Sequence, residues 1–443
     1  MRANHQRRAI GLAIAVALTA SPIASAFVQE APATAAPSSN ASSAEPYSRS
    51  RDDADGNAVL ELASRTFAPK SGSGPNVVLV AAVHVADESF YAAMQSMLDA
   101  QDLVLFEGVR PPGAGSIDPN ATDEERAKAT HGRLDFLKTA ITSQHDRDGA
   151  WPNDFDDLVT HAGKRWKSVV DGVRVDGWSR PIRFERLGRV EATAESPARP
   201  ERIVLTSDGI DGASQQGAGD DLRVEIVIDD AVAPRKPKDA GIQTKLAKAL
   251  GVTFQLDAID SSKPNWQSSD MSIDQLEARF AEAGADATML MGMMDGSSLL
   301  GKLAGLMLDF VGKNPQMQAM AKLMLVEALG AAEGGLGGGG AMPVSMEKLM
   351  KVILLERNAV VLKDLRDVID HRKDVKSVAI FYGAGHMGDL ERRLCDEFGY
   401  APTNTTWTVA MRVNPRDAGY SPKQAKAMRE SLRRMIESAS KSR

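Results

Sequence analysis

Apolar positions along this chain switch between a continuous pattern and a helical one, and the switches mark out its elements. Val77 to Val85 is an unbroken apolar run preceded by Gly and Pro, which predicts a strand buried on both faces. Asp87 to Ala100 places its apolar residues at helical spacing, with Asp87 positioned to cap the helix. Asp102 to Phe106 is apolar again and stops at Glu107-Gly108. Strand, helix and strand over about 30 residues predict a βαβ unit. Such units build parallel sheets whose ligand crevice lies beyond the carboxyl ends of the strands. His84 and Glu107 both fall at those ends.

The pattern changes at Pro111. From there to about Asp230 the chain is richer in Asp, Arg, Trp and short turns, after a helical stretch from Glu124 to Thr142. A strand pattern returns at Gly251 to Leu256. Met271 to Ala332 reads as helical and Met-rich, and the glycine run 334–340 reads as a flexible link. A long helix is expected over Ser345 to Ile369, a buried strand over Val375 to Tyr382 and a tight turn at Gly383-Ala384-Gly385. Helix follows from His386, and a charged helix fraying into a tail closes the chain from Ser421. The middle therefore reads as an insertion into one α/β domain, which a loop with neighbouring ends tolerates. The expected parts are a signal peptide 1–26, a disordered linker 27–55, domain halves 56–112 and 236–420, an insert 113–232 and the tail 421–443.

Composition narrows the classes. The 443 residues are 43% hydrophobic and 25% charged, which permits a core of normal size, and the net charge of −6 with no basic run argues against nucleic acid as a partner. Arg2, Arg7 and Arg8 precede an apolar run from Ala9 to Ile23, and Ala24-Ser25-Ala26 supplies the small residues of a cleavage site. The expected location is periplasmic or secreted, with no stable membrane span after cleavage. The single cysteine, Cys395, sits in a segment of helical period and reads as a half-buried helix residue.

Two of the seven histidines, His84 and His386, follow buried strands, and Glu107 ends a third. Imidazole with carboxylate suits Zn, Mn or Co. The glycines before His386 allow a sharp strand-to-helix turn, and N–H groups at a helix start favour an oxyanion. On the preceding helix, Glu356 and Arg357 border an apolar face. They are either an ion pair that fixes packing or a general base and a carbonyl-polarising cation.

The order of these pieces resembles the TraB/PrgY/TIKI (GumN-related) family. They are Ala81-Ala82-Val83-His84, Glu107 after the second strand, Glu356-Arg357-Asn358, and Gly383-Ala384-Gly385-His386. The resemblance covers roughly residues 59–110 and 240–400. Here Ala81 stands where the family's first GxxH motif has Gly. It implies a metal-dependent hydrolase of peptidase type, with His84, Glu107 and His386 as ligands of Mn, Co or Zn. Glu356 and Arg357 would join them in catalysis on a peptide or protein substrate.

The insert resembles the C-terminal domain of the type II secretion pseudopilin GspG. The matching pieces are Trp151-Pro152, Asp176-Gly177-Trp178-Ser179-Arg180-Pro181-Ile182 and the run from Ser207 to Asp221. That resemblance implies a calcium ion at Asp211, Asp220 and Asp221. The prepilin cleavage motif and assembly helix of that family are absent, so the insert is not expected to polymerise. The expected fold class is α/β: a parallel-sheet TraB/TIKI-like domain with Met-rich helices, plus an inserted α+β pseudopilin-like domain. The alternative function is a non-catalytic binding protein, or an accessory of type II secretion that touches pseudopilins.

Overall fold

The computed structural model describes residues 45–115, 117, 120–162, 167–192, 197–228, 242–284, 311–331 and 344–441. The expected signal peptide, most of the linker, the glycine run and the Met-rich stretch 285–310 lie outside the described residues.

Seven strands form the main sheet: β1 (Ser48–Asp52), β2 (Ala58–Pro69), β3 (Asn76–Ala82), β5 (Leu103–Phe106), β10 (Trp266–Ser268), β11 (Ser377–Gly383) and β12 (Tyr400–Val413). Their order is β1-β2-β3-β11-β5-β10, with β12 paired to β2. The run β3, β11, β5, β10 is parallel. The expected parallel sheet is corrected to a mixed one, because in the other half β1, β3 and β12 each run antiparallel to β2. A short connection from Pro69 to Asn76 explains the β2–β3 pairing, because a parallel return would need a long crossover. β1 also lies inside the stretch expected to be linker, so the folded part begins before Val59.

The βαβ unit is present, with α1 (Glu88–Asp99) between β3 and β5, and β11 enters between those two strands. Asp87 starts α1 without a side-chain cap. Its carboxylate accepts from Lys322 Nζ at 2.6 Å and from the Arg412 amide at 2.8 Å instead. The run expected as a strand at Gly251–Leu256 is only the two-residue β9 (Thr253–Phe254), paired with β4 (Val85–Ala86). It lies between α5 (Ile242–Leu250) and the short α6 (Gln255–Ala258). The core joins Leu60, Phe67, Leu79, Val80, Leu105 and Ile380 with Val361 and Leu365 of the C-terminal half.

Residues 123–228 build a second group. Helices α2 (Asp123–Asp148), α3 (Phe155–Ala162) and α4 (Lys167–Val173) pack on a three-stranded antiparallel sheet of β6 (Arg183–Leu187), β7 (Arg202–Ser207) and β8 (Leu222–Val227). Leu134, Leu137, Ile141, Val173, Ile203 and Leu205 form their own buried cluster. Thr122 and Glu125 close a capping box at the start of α2, and Gly149 ends it in the left-handed conformation.

After α7 (Ile273–Glu282), α8 (Pro315–Ala331) packs on β1, β2 and α12 (Pro422–Lys441). Of the Met-rich stretch, α8 therefore sits over the antiparallel strands, while α7 packs against residues Val352–Glu356. Arg429 of α12 is buried against Glu327 of α8 and Asp52 of β1. The long helix expected at 345–369 is α9 (Val344–Lys351) and α10 (Arg357–His371), joined by a π turn over Val352–Glu356. α11 (Met387–Glu397) follows β11 and carries Cys395, partly buried as expected. Among the described residues no helix is long and apolar enough to cross a membrane.

Candidate active site

Four adjacent parallel strands end at one place, and each delivers a polar side chain there. His84 stands two residues beyond β3, Glu107 directly follows β5, His386 closes the turn after β11, and Asp270 lies two residues beyond β10. Asp270 was not singled out in the sequence; only its position just past a strand end could have pointed to it. Arg357 and Asn358 reach the same place from α10.

The floor of the site is an ionic network. Arg357 is 2% exposed and Asp270 0%. Arg357 Nε donates to Asp270 Oδ1 at 2.9 Å, and Nη2 donates to Asp270 Oδ2 at 2.6 Å and to Glu107 Oε1 at 2.8 Å. Asp270 also accepts from the amides of Gly108 and Met271, which gives it four donors. Glu107 Oε2 accepts from the Gly383 amide at 2.7 Å. A Cβ at 383 would stand 3.3 Å from that oxygen, so glycine suits the close approach. The Gly383 N–H is thus spent on Glu107 and is not free for an oxyanion. Arg357 Nη1, by contrast, makes no hydrogen bond among the described residues.

Burial pushes the Glu107 carboxyl up, but Arg357, both histidines and the Gly383 amide outweigh it and hold its pKa at about 2. Burial lowers His386 to about 4, against the opposing pull of Glu107, so its ring is neutral at pH 7. Burial also lowers His84, with Glu107 pulling it up and Arg357 pushing it down. Burial opposes the charge on Arg357, but Asp270 and Glu107 raise its pKa further.

The neutral His386 ring leaves Nε2 only 3.7 Å from Glu107 Oε1. Its Nδ1 lies 2.7 Å from Asn358 Oδ1. Two donors held on one ion at about 2.1 Å each, at a tetrahedral angle, stand about 3.4 Å apart. This pair therefore fits a shared cation, and the His84 ring, which makes no hydrogen bond among the described residues, is a further nitrogen donor nearby. Among the described residues no group of three or more His, Cys, Asp or Glu side chains is placed to hold a metal ion.

Glu356 is not part of this cluster. Its side chain is 36% exposed, and its nearest cation is Arg279 at 3.9 Å. Successive helical residues turn by about 100°, so with Arg357 and Asn358 both facing inward Glu356 must face out. The π turn ahead of Arg357 inserts the extra residue that sets this phase. Glu356 instead borders a shallow groove of about 410 Å³ between α7 and α10, lined by Met271, Arg279, Val360 and Lys363.

In the second group, Asp211, Asp220 and Asp221 share the loop between β7 and β8. Asp220 Oδ2 accepts from the amides of Ile210 and Asp211, and the Gln215 side-chain amide bridges Asp211 Oδ2 and Asp220 Oδ1 at 2.8 and 3.1 Å. Asp221 Oδ2 accepts from the amides of Gln215 and Gly217, while its buried Oδ1 has no hydrogen-bond partner among the described residues. Arg183 takes Asp208, and Arg180 takes the carbonyls of Gly209 and Ile210.

No family model, curated protein or solved structure matches this chain.

Proposed function

We propose that the crevice at the ends of β3, β5, β10 and β11 is the active site of an exported, metal-dependent hydrolase of peptidase type. The observation that carries this reading is the facing pair of acceptors, neutral His386 Nε2 and Glu107 Oε1, 3.7 Å apart. Glu107 Oε1 already accepts from Arg357 Nη2, and its remaining lone pair, facing His386 Nε2, leaves room for a cation between the two. His386, Glu107 and His84 are the residues that would hold a divalent ion of Mn, Co or Zn type. Such an ion lowers the pKa of water and supplies a nucleophile near neutral pH.

The chain's own groups do the rest. Glu107 carries its negative charge into a buried site because Arg357 and the Gly383 amide stabilise it. Asp270 holds the guanidinium by two of its nitrogens, so Nη1 is left to donate to the oxyanion of a peptide carbonyl. Glu356 has no role in this scheme.

Residues 113–232 are read as an inserted pseudopilin-like module that calcium stabilises. Asp211, Asp220 and Asp221 are its candidate ligands, and the orphaned Asp221 Oδ1 is what supports a cation there. A second reading, a binding or accessory protein of type II secretion, draws support from the Arg357–Glu107 contact, which already offsets much of the charge a metal would meet.

Titration calorimetry with Mn²⁺ on the metal-stripped protein tests the leading reading. Binding that His386→Ala abolishes is expected. An absence of binding in the unsubstituted protein removes the hydrolase reading and leaves the accessory one.

A further inference from the structure

Asn358 is 0% exposed, and all of its amide contacts go to polar partners around His386. Its Nδ2 donates to the His386 backbone carbonyl at 3.2 Å and to Asp389 Oδ2 at 2.9 Å. Its Oδ1 lies 2.7 Å from His386 Nδ1. Turning the amide over would set its oxygen against a carbonyl and a carboxylate, and would leave buried acceptors without donors. The amide orientation is therefore fixed, and with it the identity of the atom that meets the ring. An amide oxygen can only accept, so Nδ1 must carry the proton.

We infer that Asn358, held by Asp389, selects the Nδ1–H tautomer of His386 and keeps Nε2 bare toward Glu107. The choice runs against the local field. The Glu107 carboxylate on the Nε2 side favours a proton there, since an Nε2–H would form a charge-assisted hydrogen bond with Oε1. The observed 3.7 Å is too long for that bond. Asn358 and Asp389 are thus positioning residues: they act through His386, by deciding which ring nitrogen has a lone pair. One amide grips His386 at both its backbone and its ring, which also fixes the ring plane.

The consequence for chemistry rests on the proposed hydrolase, but the tautomer itself does not. The test is the ¹⁵N NMR spectrum of the metal-stripped protein with labelled histidine rings at neutral pH, with His386 assigned by its loss in His386→Gln. The expected spectrum has a protonated Nδ1 and a bare Nε2. In Asn358→Leu the two should exchange, the proton moving to Nε2 beside Glu107. Asp389 is partly exposed, so Asp389→Ala guards against a misfolded Asn358 variant. It leaves Asn358 Nδ2 only the His386 carbonyl, so the amide should turn over part of the time and the ring nitrogens should shift toward an average. An Nε2–H in the unsubstituted protein, or an unchanged spectrum in the folded variants, overturns the inference. A protonated Nδ1 in a protein that binds no Mn²⁺ keeps the inference and removes the hydrolase reading.

Discussion

Arg357 and Asp270 face each other through two parallel hydrogen bonds, Nε to Oδ1 at 2.9 Å and Nη2 to Oδ2 at 2.6 Å, with no water-accessible surface on the Asp270 side chain. A fork of this kind fixes the guanidinium plane as well as its charge. Glu107 then meets an arginine already locked in place. Replacing Asp270 by Ala leaves a buried cation with half of its compensation. The expected loss is about 3–5 kcal/mol, the usual effect of breaking a buried pair on one side. A urea midpoint unchanged in Asp270→Ala would show that the pair does not hold the floor of the site.

His84 and Glu356 make opposite predictions for metal binding. His84 sits at a strand end beside Glu107 and Arg357, while Glu356 lies on the outer face of its helix. Mn²⁺ affinity should fall at least tenfold in His84→Ala and stay within about twofold in Glu356→Gln, a difference of more than about 1.4 kcal/mol in the first case. Equal losses in both variants would place Glu356 back in the site and make the observed helix phase wrong.

The depressed pKa of His386 has a direct effect on stability. The unfolded ring takes a proton near its ordinary 6.5, while the folded ring stays neutral until about pH 4. Stability from the neutral ring is thus complete above pH 6.5 and is lost as the pH falls to 4. The size is on the order of 3 kcal/mol. Glu107, held at about 2 against an ordinary 4.5, loses its contribution as the pH falls from 4.5 to 2, so most of that loss comes below the histidine window. Thermal unfolding between pH 7 and 4 should show a fall in Tm that is shallower in His386→Gln. Parallel curves for the two proteins would mean that the ring is not buried neutral.

These relationships were unequally legible in the sequence. His84, Glu107 and His386 stand directly after apolar runs, so the rule for parallel strands located them. Asp270 follows a strand of only three residues, Trp266–Ser268, too short to register as a run. Strand β2 was hidden for another reason. Glu61, Ser64 and Arg65 interrupt its apolar pattern, yet all three are buried, because Arg49 and Arg51 pair with Glu61 and Glu391 pairs with Arg65. Long-range ion pairs of this sort have no local signature. The exposed Thr- and Asn-rich edge of β12 carries little apolar pattern at all.

The loop of Asp211, Asp220 and Asp221 offers a prediction of its own. Three carboxylates crowd one turn, and the donors that separate them are backbone amides and the single side-chain amide of Gln215. That neutral donor stands between Asp211 and Asp220, where a cation would relieve the same repulsion more strongly. Calcium should therefore raise the Tm of the whole protein, and Asp220→Ala with Asp221→Ala should remove the rise. Gln215→Ala takes away the bridging amide without touching a carboxylate. It should lower the Tm in calcium-free buffer and enlarge the response to added Ca²⁺. If calcium leaves the Tm unchanged in both the unsubstituted protein and Gln215→Ala, the amide network alone satisfies the loop. The buried Asp221 Oδ1 would then be an uncompensated cost of the turn and no mark of an ion.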